Sequence, residues 1–160
     1  MSRAQLALNV DDLDEAITFY SKLLRTAPAK IKPGYANFAV ADPPLKLVLI
    51  ENPGHGGTLN HLGVEVGTSE AVHAEIARLS EVGMFTQEEM GATCCFAVQD
   101  KVWVTGPAGE KWEVYTVLDD SEHFGQESSA VGDQRGACAC NQSHSSEGEG
   151  TNATDAASCC

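Results

Sequence analysis

Two stretches of the chain decide its fold: Gln5-Leu6-Ala7-Leu8-Asn9-Val10 and His61-Leu62-Gly63-Val64-Glu65-Val66. In each, aliphatic residues alternate with polar or small ones, which predicts a β-strand with one apolar face. The stretches begin 56 residues apart, and each opens with a polar residue in the matching position. The sequence therefore predicts two copies of one unit.

The residues that follow these strands repeat one order of elements: strand, helix and further strands. Acidic or hydroxyl side chains stand where each helix would begin, and such side chains cap helices by accepting hydrogen bonds from first-turn N–H groups. In the first unit the sequence predicts a strand at 3–10, a helix from Asp11 or Asp12 to about Arg25, and strands at 35–40 and 45–50. In the second it predicts a strand at 61–66, a helix from Thr68 or Ser69 to about Val82, and strands at 85–90, 93–99, 102–105 and 111–118.

Composition sets the broad class of the protein and disfavours some partners. The 160 residues carry a formal net charge of −13 without a basic cluster, so neither nucleic acid nor an anionic membrane is an expected partner. No apolar leader or membrane-spanning stretch is evident, which predicts a cytoplasmic protein. In a reducing cytoplasm the six cysteines are interpreted as thiols or metal ligands.

The character of the sequence changes near residue 121. We expect one domain over 1–120, with modules at about 3–52 and 59–118. Residues 121–160 are predicted to be a disordered, acidic tail, since they are rich in Ser, Gly, Ala and acids and can bury little apolar surface. The tail thiols could collect soft metal ions or belong to a tolerated low-complexity extension, and the second interpretation is favoured. They are Cys138, Cys140, Cys159 and Cys160.

Three polar residues fall on the non-apolar faces of predicted strands: Gln5, His61 and Glu113. An amide oxygen, an imidazole and a carboxylate would leave positions open on a divalent metal, which suits Fe(II) and O2, with Mn(II) or Ni(II) as competitors. A histidine at a strand start is more often an ordinary core or surface residue. The internal repeat favours the ligand interpretation.

Two adjacent thiols lie in the apolar, strand-like run Thr93-Cys94-Cys95-Phe96. They are either small apolar filler or the anchor for a thiol-seeking ligand. Neighbouring residues of a regular strand point to opposite faces, so both sulfurs cannot face one cavity if the strand is regular. We therefore expect a bulge or a strand end at Gly91-Ala92-Thr93.

The repeat resembles the vicinal oxygen chelate superfamily, which includes glyoxalase I, extradiol dioxygenases and antibiotic-resistance proteins. The resemblance implies an α+β fold of two βαβββ modules forming a cupped mixed sheet, with metal ligands Gln5, His61 and Glu113 from the first, fifth and eighth strands. The fourth-strand position that matches Glu113 falls near Leu47, so a fourth protein ligand is missing. This departure favours a three-ligand, oxygen-using site over a four-ligand isomerase. Gln5, where extradiol dioxygenases usually have a second histidine, disfavours ordinary catechol cleavage.

Within that superfamily residues 3–118 resemble the ArsI-type C–As lyases. The resemblance implies a nonheme Fe(II)-dependent dioxygenase, with O2 as co-substrate, that acts in arsenic detoxification as a monomer or homodimer. Cys94 and Cys95 would hold a trivalent organoarsenical, such as methylarsenite or an aromatic arsenical, while its carbon–arsenic bond is cleaved to give arsenite. The matching motifs are 5–10, Pro-Gly-Tyr-Ala-Asn-Phe-Ala at 33–39, Pro-Pro-Leu-Lys-Leu-Val-Leu-Ile-Glu at 43–51, Asn60-His61-Leu62-Gly63 and, most specific, Cys94-Cys95.

Two alternatives stay open. The chain could be a non-catalytic module that sequesters arsenicals or cadmium through its thiols, or a glyoxalase-like metalloenzyme.

The segment Gln99-Asp100-Lys101 falls between predicted strands, where Lys101 could belong to a lid near the substrate. A solvated hairpin turn is the favoured interpretation of that segment.

Overall fold

The computed structural model describes residues 2–123. The chain begins with β1 (Arg3–Val10), α1 (Leu13–Leu24), β2 (Lys30–Lys32), β3 (Tyr35–Val40) and β4 (Leu45–Glu51). It repeats that order with β5 (Leu59–Glu65), α2 (Ser69–Glu81), β6 (Gln87–Cys94), β7 (Ala97–Thr105) and β8 (Lys111–Asp120). The predicted α+β fold of two βαβββ units is confirmed.

Both helices begin at a side chain that caps the first turn. The Asp12 carboxylate accepts a hydrogen bond from the backbone N–H of Glu15 at 2.8 Å, and the Thr68 hydroxyl accepts one from the N–H of Ala71 at 3.3 Å. These contacts satisfy donors that have no partner within the helix. Of the two capping residues predicted for each helix, the structure selects Asp12 and Thr68.

The eight strands form one sheet in the order β2-β3-β4-β1-β5-β8-β7-β6. In each module the first and last strands pair in parallel, as β1 with β4 and β5 with β8. The modules join where β1 and β5 pair antiparallel at the centre of the sheet. Gln5 and His61, the opening polar residues of the repeat, therefore lie on neighbouring central strands.

The two faces of the sheet have different partners. On one face α1 packs over Phe38 and Leu49, and α2 packs over Val102. The other face carries a separate buried cluster in which Cys94 and Phe96, from the β6–β7 hairpin, meet residues of β1, β3 and β4. Those strands lie towards the opposite end of the sheet order, so the contacts require the sheet to curl into a cup.

The opposite edge of the sheet also reaches this hairpin. Lys30 on β2 donates from its Nζ to the backbone oxygen of Phe96 at 3.1 Å and also pairs with the Asp120 carboxylate. Lys32, on the same strand, pairs with Glu122 at 2.7 Å. Contacts between the two ends of the sheet therefore close the cup on that side.

One part of the predicted strand pattern is wrong. The three strands expected at 85–90, 93–99 and 102–105 are two strands of a single hairpin, β6 and β7, joined by Cys95-Phe96. The polar run Gln99-Asp100-Lys101 suggested a turn, but it lies within β7, where the charged groups of Asp100 and Lys101 have partners inside the protein. The Asp100 carboxylate, for example, accepts hydrogen bonds from the Ser69 hydroxyl at 2.6 Å and the N–H of Gly91 at 2.7 Å.

The prediction of a disordered tail falls almost wholly outside the described residues, as do the tail thiols Cys138, Cys140, Cys159 and Cys160. Between residues 2 and 123, no helix is long and apolar enough to cross a membrane.

Candidate metal and thiol site

The three predicted ligands, Gln5, His61 and Glu113, come together inside the cup. The side-chain Nε2 of Gln5 lies 3.0 Å from the Nε2 of His61 and 2.6 Å from the Oε1 of Glu113. The His61 Nε2 and the Glu113 Oε1 are 3.4 Å apart. All three side chains are buried, with at most 5% of their surface exposed.

These separations fit one divalent ion. Ligand atoms about 2.1 Å from an octahedral ion, at right angles to one another, are about 3 Å apart. The His61 Nε2 and the Glu113 Oε1 are 3.4 Å apart, and the Gln5 amide approaches them to 3.0 and 2.6 Å through its nitrogen, which shares a carbon with the oxygen that would bind an ion. The set contains only two residues of the His, Cys, Asp and Glu types, and no group of three such residues gathers anywhere in residues 2–123. An ion held here would therefore need the Gln5 amide to complete the set, with the amide oxygen turned inward.

A hydrogen bond on the far side of the His61 ring fixes its tautomer. The Nδ1 of His61 lies 2.7 Å from the side-chain oxygen of Asn60, which can only accept a hydrogen bond. The Nδ1 therefore carries the proton, and the Nε2 presents its lone pair to Gln5 and Glu113. Asn60 is itself oriented by donating to the side-chain oxygen of Asn9 at 3.0 Å.

Glu113 is ionised despite its burial. Burial alone would raise the pKa of its carboxyl, but the positive charge of Lys101 opposes that effect, and the pKa is lowered to about 2. The Lys101 Nζ lies 3.3 Å from Oε2 of the carboxylate, which leaves Oε1 facing the other two ligands. The site thus has an anionic oxygen available at any physiological pH.

The prediction that Lys101 belongs to a lid is wrong. Lys101 lies in the middle of β7, where it pairs with Tyr115 on β8, and its side chain is fully buried. Its ammonium group lies over the ring of Trp103, 5.2 Å from the ring centroid. A surface lid requires a mobile, exposed segment, whereas this side chain belongs to the inner wall of the cup.

Gly63 makes the approach of two ligands possible. It lies on β5 between Gln5 on β1 and Glu113 on β8, paired with both. A Cβ atom added there would lie 2.9 Å from the Cγ of Glu113 and 3.4 Å from the Cβ of Gln5. Since 2.9 Å is too close for two carbon atoms, only glycine leaves both ligand side chains where they are.

The register also identifies the position of the missing fourth ligand. Gly63 pairs with Glu113 in the second module, and Ala7, its counterpart 56 residues earlier, pairs with Val48 in the first. Val48 is therefore the first-module equivalent of Glu113. The sequence predicted this position near Leu47, one residue away, but Leu47 faces α1. The aliphatic side chain of Val48 has no donor atom for a metal, so the set stays at three.

Cys94 and Cys95 come together by a route that the sequence did not predict. A register shift does lie between Glu89 and Ala92, near the predicted irregularity. The decisive feature, however, is the two-residue turn Cys95-Phe96, whose φ angles are 55° and 60°. Positive φ at both central residues is the requirement of a type I′ hairpin turn, and it breaks the strand's alternation just after Cys94.

As a result, the two sulfur atoms lie 3.2 Å apart, and both residues pack in the same buried cluster. Two thiolates bound to one soft centre at about 2.3 Å, a typical zinc–thiolate length, and at a near-right angle would be about 3.3 Å apart. Cys95 takes part in a disulfide bond in this structure, so chelation by both sulfurs requires its reduced form.

The thiol pair and the three ligands share one wall of the cup. Ala7 packs in the cluster that contains Cys94 and pairs directly with His61 across β1 and β5. Tyr35 lies in the same cluster, and burial raises the pKa of its hydroxyl to about 12. The hydrogen bond with Asn37 opposes this rise, whereas the charges of Glu113 and Cys94 both add to it. A ligand held by the sulfurs would therefore lie on the same inner face of the cup as Gln5, His61 and Glu113.

Two residues of the site, Asn60 and Gly63, had no clear signal of their own in the sequence. Both lie in the motif Asn60-His61-Leu62-Gly63, in which only the histidine was predicted to have a role. A buried polar chain also approaches Gln5, in which the Tyr115 hydroxyl contacts the Gln5 side-chain oxygen, the Lys46 Nζ and the Glu65 carboxylate. The signal for that chain was the alternation of β1, β4, β5 and β8, which places these side chains inside the cup.

Comparisons with known proteins agree with this architecture. A family model described as the Glyoxalase/Bleomycin resistance protein/Dioxygenase superfamily matches residues 3–114. Homoprotocatechuate 2,3-dioxygenase from Brevibacterium fuscum, solved with 3,4-dihydroxyphenylacetate, has a similar fold, with a TM-score of 0.54 at 22% identity. That match covers 76% of this chain and 38% of the dioxygenase chain.

Two relatives are much more similar in sequence. The chain is 78% identical over 125 residues to the cadmium-induced protein CadI of Mycobacterium tuberculosis, over 78% of this chain and 82% of CadI. It is 62% identical over 123 residues to the trivalent organoarsenical cleaving enzyme of Thermomonospora curvata, over 76% of this chain and 82% of that enzyme.

Proposed function

Because this chain belongs to the glyoxalase/bleomycin resistance protein/dioxygenase superfamily, we propose that it is an Fe(II)-dependent dioxygenase that cleaves the carbon–arsenic bond of trivalent organoarsenicals. The observation that carries the proposal is the placement of two sulfurs, 3.2 Å apart, beside a converging Gln5, His61 and Glu113 set. The relative from Thermomonospora curvata, named for organoarsenical cleavage, supports the same chemistry.

Cys94 and Cys95 are proposed to bind the substrate. Trivalent arsenic is soft and prefers thiolates, so two thiols displace the two hydroxyl groups of methylarsenite, form two arsenic–sulfur bonds and release two water molecules. Chelation fixes the arsenic and leaves the third substituent, the organic group, to project from it. Holding the reacting groups together can lower the barrier by about 7–11 kcal/mol in the best-oriented cases.

Gln5, His61 and Glu113 are proposed to hold the iron through one oxygen, one nitrogen and one oxygen. When bound, Fe(II) would supply the activation of O2 that an organic side chain cannot provide. The overall reaction balances as methylarsenite plus O2 giving arsenite plus formaldehyde, with the methyl carbon oxidised and the two oxygen atoms divided between the products. Aromatic arsenicals are proposed as further substrates.

The remaining groups of the cup position the reactants and exclude water. Phe96 and Tyr35 pack beside the thiols with their ring centroids 5.6 Å apart, and Trp103 contacts His61 edge-on. Because the thiols must be reduced to bind arsenic, a cytoplasmic location and a role in arsenic detoxification follow from the proposal. A monomer or a homodimer is compatible with a site built from one chain.

A second candidate function is sequestration without turnover. It is favoured by the similarity to CadI, whose name records induction by cadmium, and by the fact that two thiols suffice to bind a soft ion. It gives no role to the three converging ligands or to the hydrogen bonds that fix the lone pair of His61, so the enzyme remains the better-supported proposal.

The test separates these two functions. Reduced protein is loaded anaerobically with Fe(II), incubated with methylarsenite and then exposed to O2, and the arsenic species and formaldehyde are quantified. We expect equimolar arsenite and formaldehyde, both lost in His61→Ala and Cys95→Ala and both retained in His73→Ala, a matched exposed histidine on α2. Stoichiometric arsenic binding without products in the native protein would establish sequestration and reject the enzyme.

A further inference from the structure

The side-chain amide of Gln5 faces the site with the wrong atom for a metal. Its Nε2 points inward, where both neighbours, the Glu113 Oε1 and the His61 Nε2, accept hydrogen bonds. An amide nitrogen donates two hydrogen bonds and has no lone pair to offer, whereas the amide oxygen has two. A cation can therefore be bound only after the amide rotates about its last bond and brings Oε1 inward.

The outward atom of the same amide meets Tyr115. The Tyr115 hydroxyl donates to the Gln5 Oε1, and the same hydroxyl oxygen lies 2.9 Å from the Lys46 Nζ and 2.8 Å from the Glu65 Oε2. A phenol has one proton to donate and can also accept. It can therefore donate to Gln5 or to Glu65, but not to both together, while Lys46 donates to it in either case.

Both orientations of the amide are satisfied by this network. With Oε1 outward, Tyr115 donates to Gln5, and the Glu65 Oε2 keeps Arg3 at 3.1 Å and Lys46 at 3.2 Å as donors. With Oε1 inward, the outward Nε2 donates to the Tyr115 oxygen, and Tyr115 turns its proton to Glu65. Provided that a cation binds the inward Oε1 in the second arrangement, neither arrangement leaves these buried groups without a partner, a loss that costs about 1–3 kcal/mol per group.

We propose that Tyr115 is a positioning residue that lets the Gln5 amide present either its nitrogen or its oxygen to the site, and that a bound divalent cation selects the oxygen. This inference rests on the proposed metal site. Without a metal, the Gln5 amide nitrogen donates hydrogen bonds to both Glu113 and His61, which stabilises the site. With a metal, rotation of the same amide supplies an oxygen ligand without repacking the cup.

Removing the Tyr115 hydroxyl should weaken cation binding for a specific reason. In Tyr115→Phe the outward atom of Gln5 faces Lys46, which is held in an ion pair with Glu65 and can only donate. That neighbour stabilises an outward oxygen and opposes an outward NH2 group, so the metal-binding orientation is disfavoured. We expect the Kd for Zn(II), used as a diamagnetic probe, to rise about 10–100-fold, as for other residues that orient a ligand.

The decisive comparison makes Tyr115→Phe in the Gln5→Glu variant. A carboxylate has oxygen on both sides and needs no rotation, so in that variant Tyr115→Phe should change the Kd for Zn(II) less than about threefold. A merely structural role for Tyr115 would weaken binding equally with either residue at position 5, and that result would overturn the inference. The comparison is a double-mutant cycle, which isolates the coupling between the two side chains.

A spectroscopic measurement reports the rotation itself. In protein labelled with 15N-glutamine, the side-chain NH2 signals of Gln5, assigned by their loss in Gln5→Ala, should shift on Zn(II) binding and gain NOE contacts to the Tyr115 ring. If the signals shift but gain no such contacts, the inference fails while Gln5 remains a ligand. If they do not respond to Zn(II) at all, Gln5 is not a ligand, and the proposed metal set fails with the inference.

Discussion

Gly63→Ala should damage the metal site while leaving the protein folded. Gly63 pairs with Gln5 on one side and Glu113 on the other, and its new methyl carbon would lie 2.9 Å from the Glu113 Cγ and 3.3 Å from the Glu113 backbone oxygen. Carbon atoms normally rest about 3.5–4.0 Å apart, so the Glu113 side chain must retreat by about 0.6–1 Å. The backbone oxygen belongs to the parallel ladder and cannot move as freely.

The size of the effect follows from that displacement. The Glu113 Oε1 lies 3.4 Å from the His61 Nε2 and 2.6 Å from the amide nitrogen of Gln5, and a productive set must be held within about 0.5 Å of its proper geometry. A retreat of 0.6–1 Å exceeds that tolerance, so we expect the Kd for Co(II) to rise about 10–100-fold, or about 1.4–2.8 kcal/mol. Crowding of the interior by one methyl group costs about 1–3 kcal/mol of stability, partly offset because alanine is less flexible than glycine in the unfolded chain.

The assay is calorimetric titration of metal-free, reduced protein with Co(II), accompanied by denaturant unfolding. Gly83→Ala is the matched control, since Gly83 follows α2 with a φ of 73° and has open space around its Cα. It should lose stability through backbone strain without any change in Kd. A folded Gly63→Ala protein that binds Co(II) within about threefold of the native Kd would refute the reasoning.

Three further predictions concern the groups around the ligands. Asn60→Leu removes the acceptor that fixes the proton on His61 Nδ1 and should weaken Co(II) binding about 10–100-fold. Asn60→Asp keeps an acceptor and should retain most of the affinity for Co(II). Equal losses in the two variants would contradict the role of Asn60 in orienting His61. Because the pKa of Glu113 is about 2 in the folded state, below its unfolded value near 4.3, its charge adds about 3 kcal/mol of stability above pH 5 that is lost as the pH falls towards 2. Acid unfolding of the metal-free protein should show this loss, and Glu113→Gln should lack it. Lys101→Met leaves the buried Glu113 carboxylate without its cation, so the free energy of unfolding of the metal-free protein should fall by about 3–5 kcal/mol. A bound metal should then raise the melting temperature of the variant more than that of the native protein. An equal rise in both proteins would contradict the pairing of Lys101 with Glu113.

The sequence predicted the frame of this site because strand alternation is a local property. Gln5 and His61 each open an alternating strand, and the repeat relates them, so their placement on one face follows from residues within each strand. Glu113 follows the same rule on β8. Alternation gives the face of each side chain but not the register between strands, which is why the position that matches Glu113 was expected near Leu47 rather than at Val48.

The errors have a common physical origin, since in each the partners of a polar or strained group lie on other elements of the fold. Gln99-Asp100-Lys101 has the composition of a solvated turn, and only a partner on another strand, the Glu113 carboxylate beside Lys101, explains why a lysine there is buried. The reverse holds for Cys95-Phe96, which lacks the Asn or Gly that type I′ turns favour and so gives no turn signal. Its conformation depends on contacts from β1, β3 and β4, which lie far from it in sequence.

The strained turn is also the strongest structural argument for a role of the thiol pair. A bulky residue with positive φ costs on the order of 1–3 kcal/mol, and both Cys95 and Phe96 have that conformation. A hairpin that served only to join β6 to β7 could avoid the cost with Asn-Gly. The observed pair instead buries Phe96 against Tyr35 and brings the sulfur of Cys95 to that of Cys94, which a regular strand would prevent. The strain is therefore offset by packing inside the cup, and it secures an arrangement in which two adjacent cysteines can bind a single atom.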